Sequence, residues 1–203
     1  MSETKAEAAP AATARRPSAR ERLLDAADEL FYEEGIHIVG IDRVIERAGV
    51  AKASLYSTFG SKDELVRAYL NRRYQQRRTR ITEWVERHDD PRQRLLAVFD
   101  ALGDSIAQPG YHGCAFANAT AESSRGSVAE QVTQEYRGWT RALFTDLARE
   151  AGAADPVTLG AQLHLLYDGV NSAARIDRDL DAAARARAAA AILLDAQPDG
   201  TTA

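Results

Sequence analysis

The stretch AGVAKASLYSTFGSKDEL, residues 48–65, decides the fold because it holds a turn, a short helix and the start of another helix. Gly49 ends the helix before it and permits a tight turn. Leu55 and Phe59 then lie four residues apart, so both reach one face of a helix. Ser61 begins an S-x-x-E capping box, which marks the next helix start. Two short helices around a glycine turn form a helix-turn-helix unit, whose second helix can enter a DNA major groove.

Two amphipathic segments precede this stretch. Apolar residues recur at helical spacing from Arg20 until Gly35, where a helix commonly stops in the left-handed conformation. Residues 41–48 form a second segment of about two turns, which is too short to be stable without neighbours. The sequence therefore predicts three packed helices at the N-terminal side.

A long helix follows Ser61. Apolar residues keep helical spacing from Leu65 to Val85, so this segment predicts a connector between two parts of the molecule. Five arginines lie in its middle, and we expect them to form its solvent-exposed face: Arg72, Arg73, Arg77, Arg78 and Arg80.

The rest of the chain also predicts helices. Asp90 before Pro91 marks one helix start, and Ser127 with Glu130 forms a second capping box. Alternating strand patterns are missing from the sequence, so the predicted class is all-α. We expect a tail at residues 1–17, a helix-turn-helix domain at 18–65 with its motif at 40–59, a larger helical domain at 66–197 and a second tail at 198–203.

Charge is distributed unevenly along the chain. The net charge is -4, yet residues 15–80 carry +4, residues 81–203 carry -7 and residues 1–14 carry -1. A basic part joined to an acidic remainder is typical of proteins in which one part contacts a polyanion. Arg15, Arg16 and Arg20 form either an arm that follows the DNA backbone or minor groove, or a plain basic tail. No apolar run suits a membrane helix or a signal peptide, which predicts a cytoplasmic protein without a membrane partner.

Residues 20–70, RERLLDAADELFYEEGIHIVGIDRVIERAGVAKASLYSTFGSKDELVRAYL, resemble the N-terminal domain of the TetR family of bacterial transcriptional regulators. The shared features are the leading helix, the Ala48-Gly49-Val50 turn, the Leu55-Tyr56 pair with Phe59, and the Lys62 restart. This resemblance implies a homodimer that binds a pseudo-palindromic DNA operator. It also implies that residues 66–197 bind a small-molecule effector and form the dimer.

The resemblance also assigns DNA contacts to the motif and the helix after it: Gly40, Lys52, Ala53, Ser54, Tyr56, Ser57, Thr58 and Lys62. Lysines neutralise phosphates, while a helix start donates backbone amides to them. The sequence departs from the family pattern in three places. Ser57-Thr58 replaces a common pair of larger ring-bearing residues. Gly40 stands where a capping Thr or Ser is usual, and Ala51 replaces a frequent Ser, so the operator sequence is less predictable.

In the second domain, aromatic walls and a few polar groups suit an effector pocket. The candidates are Phe99, Leu102, Cys114, Phe116, Asn118, Trp139, Leu143, His164, Tyr167, Asp168 and Asn171. A stripe on the last two helices suits either the dimer interface or the core of one subunit: Leu159, Leu163, Leu166, Val170, Ala174, Ala184, Ala188 and Ala191.

The sequence favours a ligand-responsive repressor and leaves two alternatives open. One is a thiol or electrophile sensor that uses Cys114; a Cys114 variant that still responds to electrophiles would exclude it. The other is a DNA-binding protein without an effector. His164 and Asp168 lie four apart, as a catalytic pair would, but the sequence holds no nucleophile elbow, phosphate-binding glycine loop or metal-ligand cluster. We therefore expect no enzyme activity, no catalytic residue, no metal and no cofactor.

Overall fold

The computed structural model describes residues 17–197, which form nine α-helices and no β-strand. Residues 1–16 of the predicted first tail, with Arg15 and Arg16 among them, lie outside the described residues. The predicted second tail, residues 198–203, lies outside them as well. The all-α prediction is confirmed. The helices are α1 (Ala19–Glu34), α2 (Ile41–Ala48), α3 (Lys52–Phe59), α4 (Lys62–Val85), α5 (Pro91–Ala107), α6 (Ala115–Ala121), α7 (Val128–Glu150), α8 (Pro156–Ile176) and α9 (Ala182–Asp195).

Helices α1 to α3 pack around a small apolar core with the first turns of α4. Leu23 of α1 and Leu55 of α3 are fully buried there, and Val44 of α2 joins them. The Phe31 ring meets the Tyr69 ring of α4 edge to face, with centroids 5.6 Å apart. The predicted short helices therefore gain their stability from each other and from α4.

Polar caps fix several helix starts. Ser61 Oγ accepts a hydrogen bond from the Glu64 amide at 3.1 Å, as the sequence predicts. A full capping box would also have the Glu64 carboxylate accept a hydrogen bond from the Ser61 amide. Here the Glu64 carboxylate pairs with Arg67 instead. The complete box is at Ser18 and Glu21, ahead of α1.

The arginines of α4 are only partly on the wet surface. Arg78 is exposed, as expected. The expectation is wrong for the other four, which are partly buried and turn toward neighbouring helices: Arg72, Arg73, Arg77 and Arg80. Arg73 forms a bidentate ion pair with Asp28 of α1, at 2.7 and 2.9 Å. This face of α4 therefore contacts both halves of the molecule.

Helices α5, α7, α8 and α9 form the larger layer, with α4 and α6 on one side. The sequence stripe on α8 divides: Leu159, Leu163 and Val170 are buried in the core of this subunit, while Leu166 is half-buried. Ala184 and Ala188 of α9 are exposed. The stripe residues of α8 therefore lie mainly in the core, and those of α9 lie mainly on the surface.

Within residues 17–197, no helix is long and apolar enough to cross a lipid bilayer. The same part of the chain holds no group of three or more His, Cys, Asp or Glu side chains arranged to bind a metal ion.

Gly160 sets how closely α8 approaches α7. A Cβ atom at this position would lie 2.9 Å from the backbone N and Cα of Thr145 and 2.6 Å from its hydroxyl. Gly160→Ala should therefore lower the free energy of unfolding by about 1–3 kcal/mol, because the two helices must separate. Chemical denaturation measures this change.

Gly138→Ala is the matched control. Gly138 lies inside α7 with nothing within 4 Å of an added Cβ. This variant should gain roughly 0.5–1 kcal/mol, as is usual when a helical glycine becomes alanine. Equal effects of the two substitutions would contradict close packing at Gly160.

Candidate functional site

The turn between α2 and α3 is clamped from behind by α1. Gly49 adopts a left-handed conformation, with φ 60° and ψ 44°. Arg22 Nη1 donates hydrogen bonds to the backbone oxygens of Ala48 at 3.3 Å and Gly49 at 3.0 Å. The left-handed conformation of Gly49 and the two hydrogen bonds from the Arg22 guanidinium thus fix the angle between α2 and α3.

Helix α3 presents a polar outer face. Tyr56 is 47% exposed, which is high for a tyrosine on a structured helix. The hydroxyls of Ser57 and Thr58 donate to the Ser54 backbone oxygen at 3.1 and 2.6 Å. Each hydroxyl oxygen can still accept a hydrogen bond, so both side chains offer acceptors to a base edge or a water.

Lys52 at the start of α3 is paired with Asp42 of α2, at 2.9 Å. The hydrogen bond to Asp42 raises the pKa of the Lys52 ammonium. Both side chains are well exposed, and such surface pairs contribute little to stability. Lys52 can therefore exchange this partner for a phosphate.

The remaining predicted DNA contacts lie around α3. Ala53 is exposed on it, and Gly40 is exposed at the start of α2. Neither Gly40 nor Ala51 caps its helix through a side chain, so the first backbone amides of α2 and α3 have no such partner. Lys62 begins α4 and is partly buried. The predicted residues thus share one end of the molecule.

A cleft of about 630 Å³ lies between α6, α7 and α8. Five of the predicted effector contacts line it: Cys114, Phe116, Asn118, Asp168 and Asn171. Its wall also includes residues that the sequence did not single out, among them Thr133, Tyr136, Arg137, Ser172 and Arg175. Their spacing in the chain is typical of ordinary helix faces, so no sequence signal distinguishes them. Cys114 is half-buried, and its role as a thiol sensor stays a prediction.

The other six predicted contacts do not line this cleft. Phe99 and Leu102 are core residues of α5, and Phe99 packs on Phe144 with ring centroids 5.6 Å apart. The Trp139 ring lies against the Tyr74 ring of α4, with centroids 5.8 Å apart and the ring planes inclined by 57°. Three further residues lie apart from the cleft lining: Leu143, His164 and Tyr167.

His164 and Asp168 are neighbours but do not form a catalytic arrangement. The His164 Nδ1 atom is 4.0 Å from the Asp168 carboxylate, beyond hydrogen-bond distance. Asp168 instead accepts from Arg137 at 2.7 Å. His164 is only 4% exposed, and burial lowers the pKa of its imidazole, with Asp168 opposing that shift. His164 is therefore a buried neutral histidine, and Asp168 belongs to the ion pair with Arg137.

Helix α6 joins the cleft to α1. Ahead of α6, the Tyr32 hydroxyl donates to the Gly113 oxygen at 2.9 Å and accepts from the His112 amide at 3.0 Å. After α6, the Glu122 carboxylate accepts from the His37 amide at 2.8 Å. We call these three hydrogen bonds the α6 seam. The α6 seam was not predicted, because its partners lie 80 to 85 positions apart in the chain and carry no mutual sequence signal.

Comparisons with known proteins agree with this geometry. Residues 23–69 match the family model of bacterial regulatory proteins of the tetR family, and residues 91–190 match the tetracyclin repressor-like C-terminal domain. The crystal structure of SCO4454, a TetR-family transcriptional regulator from Streptomyces coelicolor, is 34% identical with a TM-score of 0.82, covering 87% of this chain and 88% of that one.

Two curated relatives are named for opposite effects on transcription. The transcriptional activator FasR of Mycolicibacterium smegmatis is 35% identical over 139 residues, 68% of this chain and 62% of FasR. The match thus spans less than two thirds of FasR. The transcriptional repressor NemR of Escherichia coli is 26% identical over 174 residues, 80% of this chain and 86% of NemR.

The buried His164 generates a pH prediction. Because burial lowers its pKa from the ordinary 6.5, the unfolded chain binds more protons than the folded one as pH falls below that value. The stabilising contribution of the neutral His164 imidazole is therefore intact at pH 7.5. It is lost as pH falls through 6.5 toward the lowered pKa of the folded state. Wild type should lose more free energy of unfolding between pH 7.5 and 5.5 than His164→Gln does.

The matched control is His88→Gln, at the partly buried histidine that follows α4. Denaturant unfolding at both pH values gives the comparison. If His164→Gln and wild type lose stability in parallel, the buried imidazole does not resist protonation.

Proposed function

Because the chain belongs to the TetR family of DNA-binding transcriptional regulators, we propose that it is a homodimeric repressor released from its operator by a small-molecule effector. NemR, named a repressor, is matched over a larger share of both chains than the activator FasR. FasR is the more identical of the two, at 35% against 26%, and we take the fuller match to NemR as support for repression. We assign residues 18–65 to DNA binding and residues 66–197 to effector binding and dimerisation.

The recognition surface is the outer face of α3. Its exposed Tyr56 and Lys52 flank short hydroxyl side chains, and the amides at the start of α4 lie beside them. Lysines and helix starts hold phosphates, while Tyr56, Ser57 and Thr58 approach base edges directly or through water. Two copies of α3 in successive major grooves would stand about 34–36 Å apart.

The homodimer is supported by an exposed apolar surface on α8 and α9. Val157, Leu165 and Ile176 lie on one side of α8, opposite to its buried stripe, and all are largely exposed. Ala184, Ala188 and the exposed Ile192 repeat every four residues on α9. A second copy would cover this surface with the same two helices in a four-helix arrangement. We call it the α8–α9 surface.

The effector response is carried by one observation: α6 borders the cleft and is hydrogen-bonded to α1 and its loop at both ends. Phe116 and Asn118 of α6 line the cleft. Glu122, just after α6, lies so close to Gly35 that a Cβ there would be 2.7 Å from its carboxylate. An effector that displaces α6 would therefore shift α1 and, through the Arg22 clamp, α3. Coupling of about 1–3 kcal/mol is typical of such systems.

The first test concerns DNA. Tyr56→Ala and Lys62→Ala should each weaken binding to the operator by at least about tenfold, because each removes a contact worth about 1.4 kcal/mol or more. Fluorescence anisotropy with DNA from upstream of the protein's own gene measures the affinity. A reporter behind that DNA should fall in expression when the protein is present.

Glu83→Ala, on the exposed far half of α4, is the control and should bind as wild type does. Unchanged affinity in both test variants would contradict the assignment of α3. Equal binding of random DNA would favour the effector-independent alternative, and a rise in reporter expression would replace repression by activation.

The second test concerns the dimer. Leu165→Glu should give a monomer in sedimentation, because two carboxylates would be buried in an apolar contact. Ile38→Glu is the matched control, since Ile38 is 72% exposed, close to the 70% of Leu165, and lies far from the α8–α9 surface on the α1–α2 loop. A dimeric Leu165→Glu protein would rule out this surface.

A further inference from the structure

A second, smaller cavity of about 190 Å³ lies between α1, α4, α5 and the loop before α6. It has more space than the roughly 30 Å³ that one water occupies, so a small organic molecule can enter. Three arginines of α4 line it on successive turns: Arg73, Arg77 and Arg80. Gln76 and Gln108, both exposed, stand among its lining residues, so it opens to solvent.

Two of the three arginines are already paired with carboxylates. Arg73 is neutralised by Asp28 at 2.7 Å. Arg80 lies 3.9 Å from the Asp104 carboxylate and donates to the Ser105 hydroxyl at 2.8 Å. The Arg73 charge is therefore balanced within the protein, and the Arg80 charge is offset in part.

Arg77 differs from its neighbours. Within residues 17–197 it forms no ion pair, and its partners are the hydroxyls of Tyr136 at 3.2 Å and Tyr167 at 3.4 Å. Burial raises the pKa of Tyr136, so that hydroxyl stays neutral and cannot balance the charge. Both hydrogen bonds use Nη1, which leaves Nε and Nη2 of Arg77 available to a ligand.

A partly buried guanidinium without a carboxylate is costly, and an arginine cannot lose its proton to avoid that cost. Its free Nε and Nη2 form a fork that matches the two oxygens of a carboxylate. We propose that this cavity binds a small monocarboxylate, with its carboxylate on Arg77.

The surroundings of Arg77 favour one negative charge and a compact apolar body. With Arg73 neutralised and the charge of Arg80 offset only in part, Arg77 is the guanidinium with the least compensation, and its single charge suits a monoanion better than a phosphate dianion. The proton of the Tyr111 hydroxyl is committed to Asn171, at 3.2 Å. Phe116, Pro109 and Ala115 supply apolar contacts for a short aliphatic or aromatic group. Phe116 also lines the larger cleft, so it separates the two sites.

The test uses benzoate and its neutral isostere benzamide on the full chain, by calorimetric titration at low salt without DNA. Benzoate should bind and raise the melting temperature, whereas benzamide should do neither. Arg77→Met should weaken benzoate binding by about 10- to 100-fold, as expected when hydrogen bonds to a charged group are lost. Arg78→Met, which removes the exposed neighbouring arginine, is the matched control and should bind benzoate as wild type does.

Circular dichroism checks that the variants fold. If Arg77→Met does not fold, Arg77→Lys takes its place; it keeps the charge without the fork and should still weaken binding. Equal binding of benzoate and benzamide, tighter binding of inorganic phosphate than of benzoate, or unchanged affinity in the folded Arg77 variant would each overturn the proposal.

The effect of such a ligand on the operator rests on the proposed function, but its binding does not. A protein that binds operator DNA as a dimer and ignores benzoate would refute the carboxylate site alone. A protein that binds benzoate through Arg77 and ignores DNA would refute the proposed function alone.

Discussion

The ion pair between Asp28 and Arg73 fixes the DNA-binding helices to the rest of the molecule. It is bidentate, partly buried, and backed by the Tyr32 ring, whose centroid lies 3.9 Å from the Arg73 guanidinium carbon. A planar guanidinium held on two oxygens and a ring face has little freedom to rotate. Helix α1 therefore moves with α4 as one body, and α3 follows α1 through the Arg22 clamp. Any ligand that acts on α4 or α6 must act on this unit.

The helices themselves were predictable because their signals are local. Glycines after α1, α2 and α3, and the cap at Asp90 with Pro91, mark boundaries within one or two residues, and helical spacing shows an apolar face. The spacing does not show which neighbour covers a face. On α8 the predicted stripe at Leu159 and Leu163 is core, and the exposed apolar residues lie on the opposite side. Both faces of α8 carry apolar residues, so the sequence does not show which face is buried. In the structure the buried face is the one at Gly160, where α7 packs closely.

The two candidate sites differ in the same way: the signal for the DNA-binding surface is local in sequence, and that for the effector pocket is not. Residues of α3 such as Tyr56 follow from a motif whose parts are adjacent in sequence, and the structure places them on one surface. The effector candidates were chosen by residue type, which cannot separate Phe99 in the core from Phe116 at the cleft. Arg77 was expected to be solvated because it lies in an arginine-rich run. Its environment is set by Tyr136 and Tyr167, 59 and 90 residues away in the chain.

The strength of the α6 seam suits a switch. Its two hydrogen bonds at Tyr32 are neutral and contribute about 0.5–1.5 kcal/mol each, whereas the bond to the Glu122 carboxylate contributes about 1.5–3 kcal/mol. The free energy lost when one of these bonds breaks is therefore comparable to the roughly 1–3 kcal/mol that separates tight from weak operator binding in a typical regulator. A much stronger seam would resist displacement of α6 by a small ligand, and a much weaker one would not transmit that displacement to α1. Phe116 contacts both cavities and stands six residues before Glu122, so occupants of either cavity would act on this seam through the same helix.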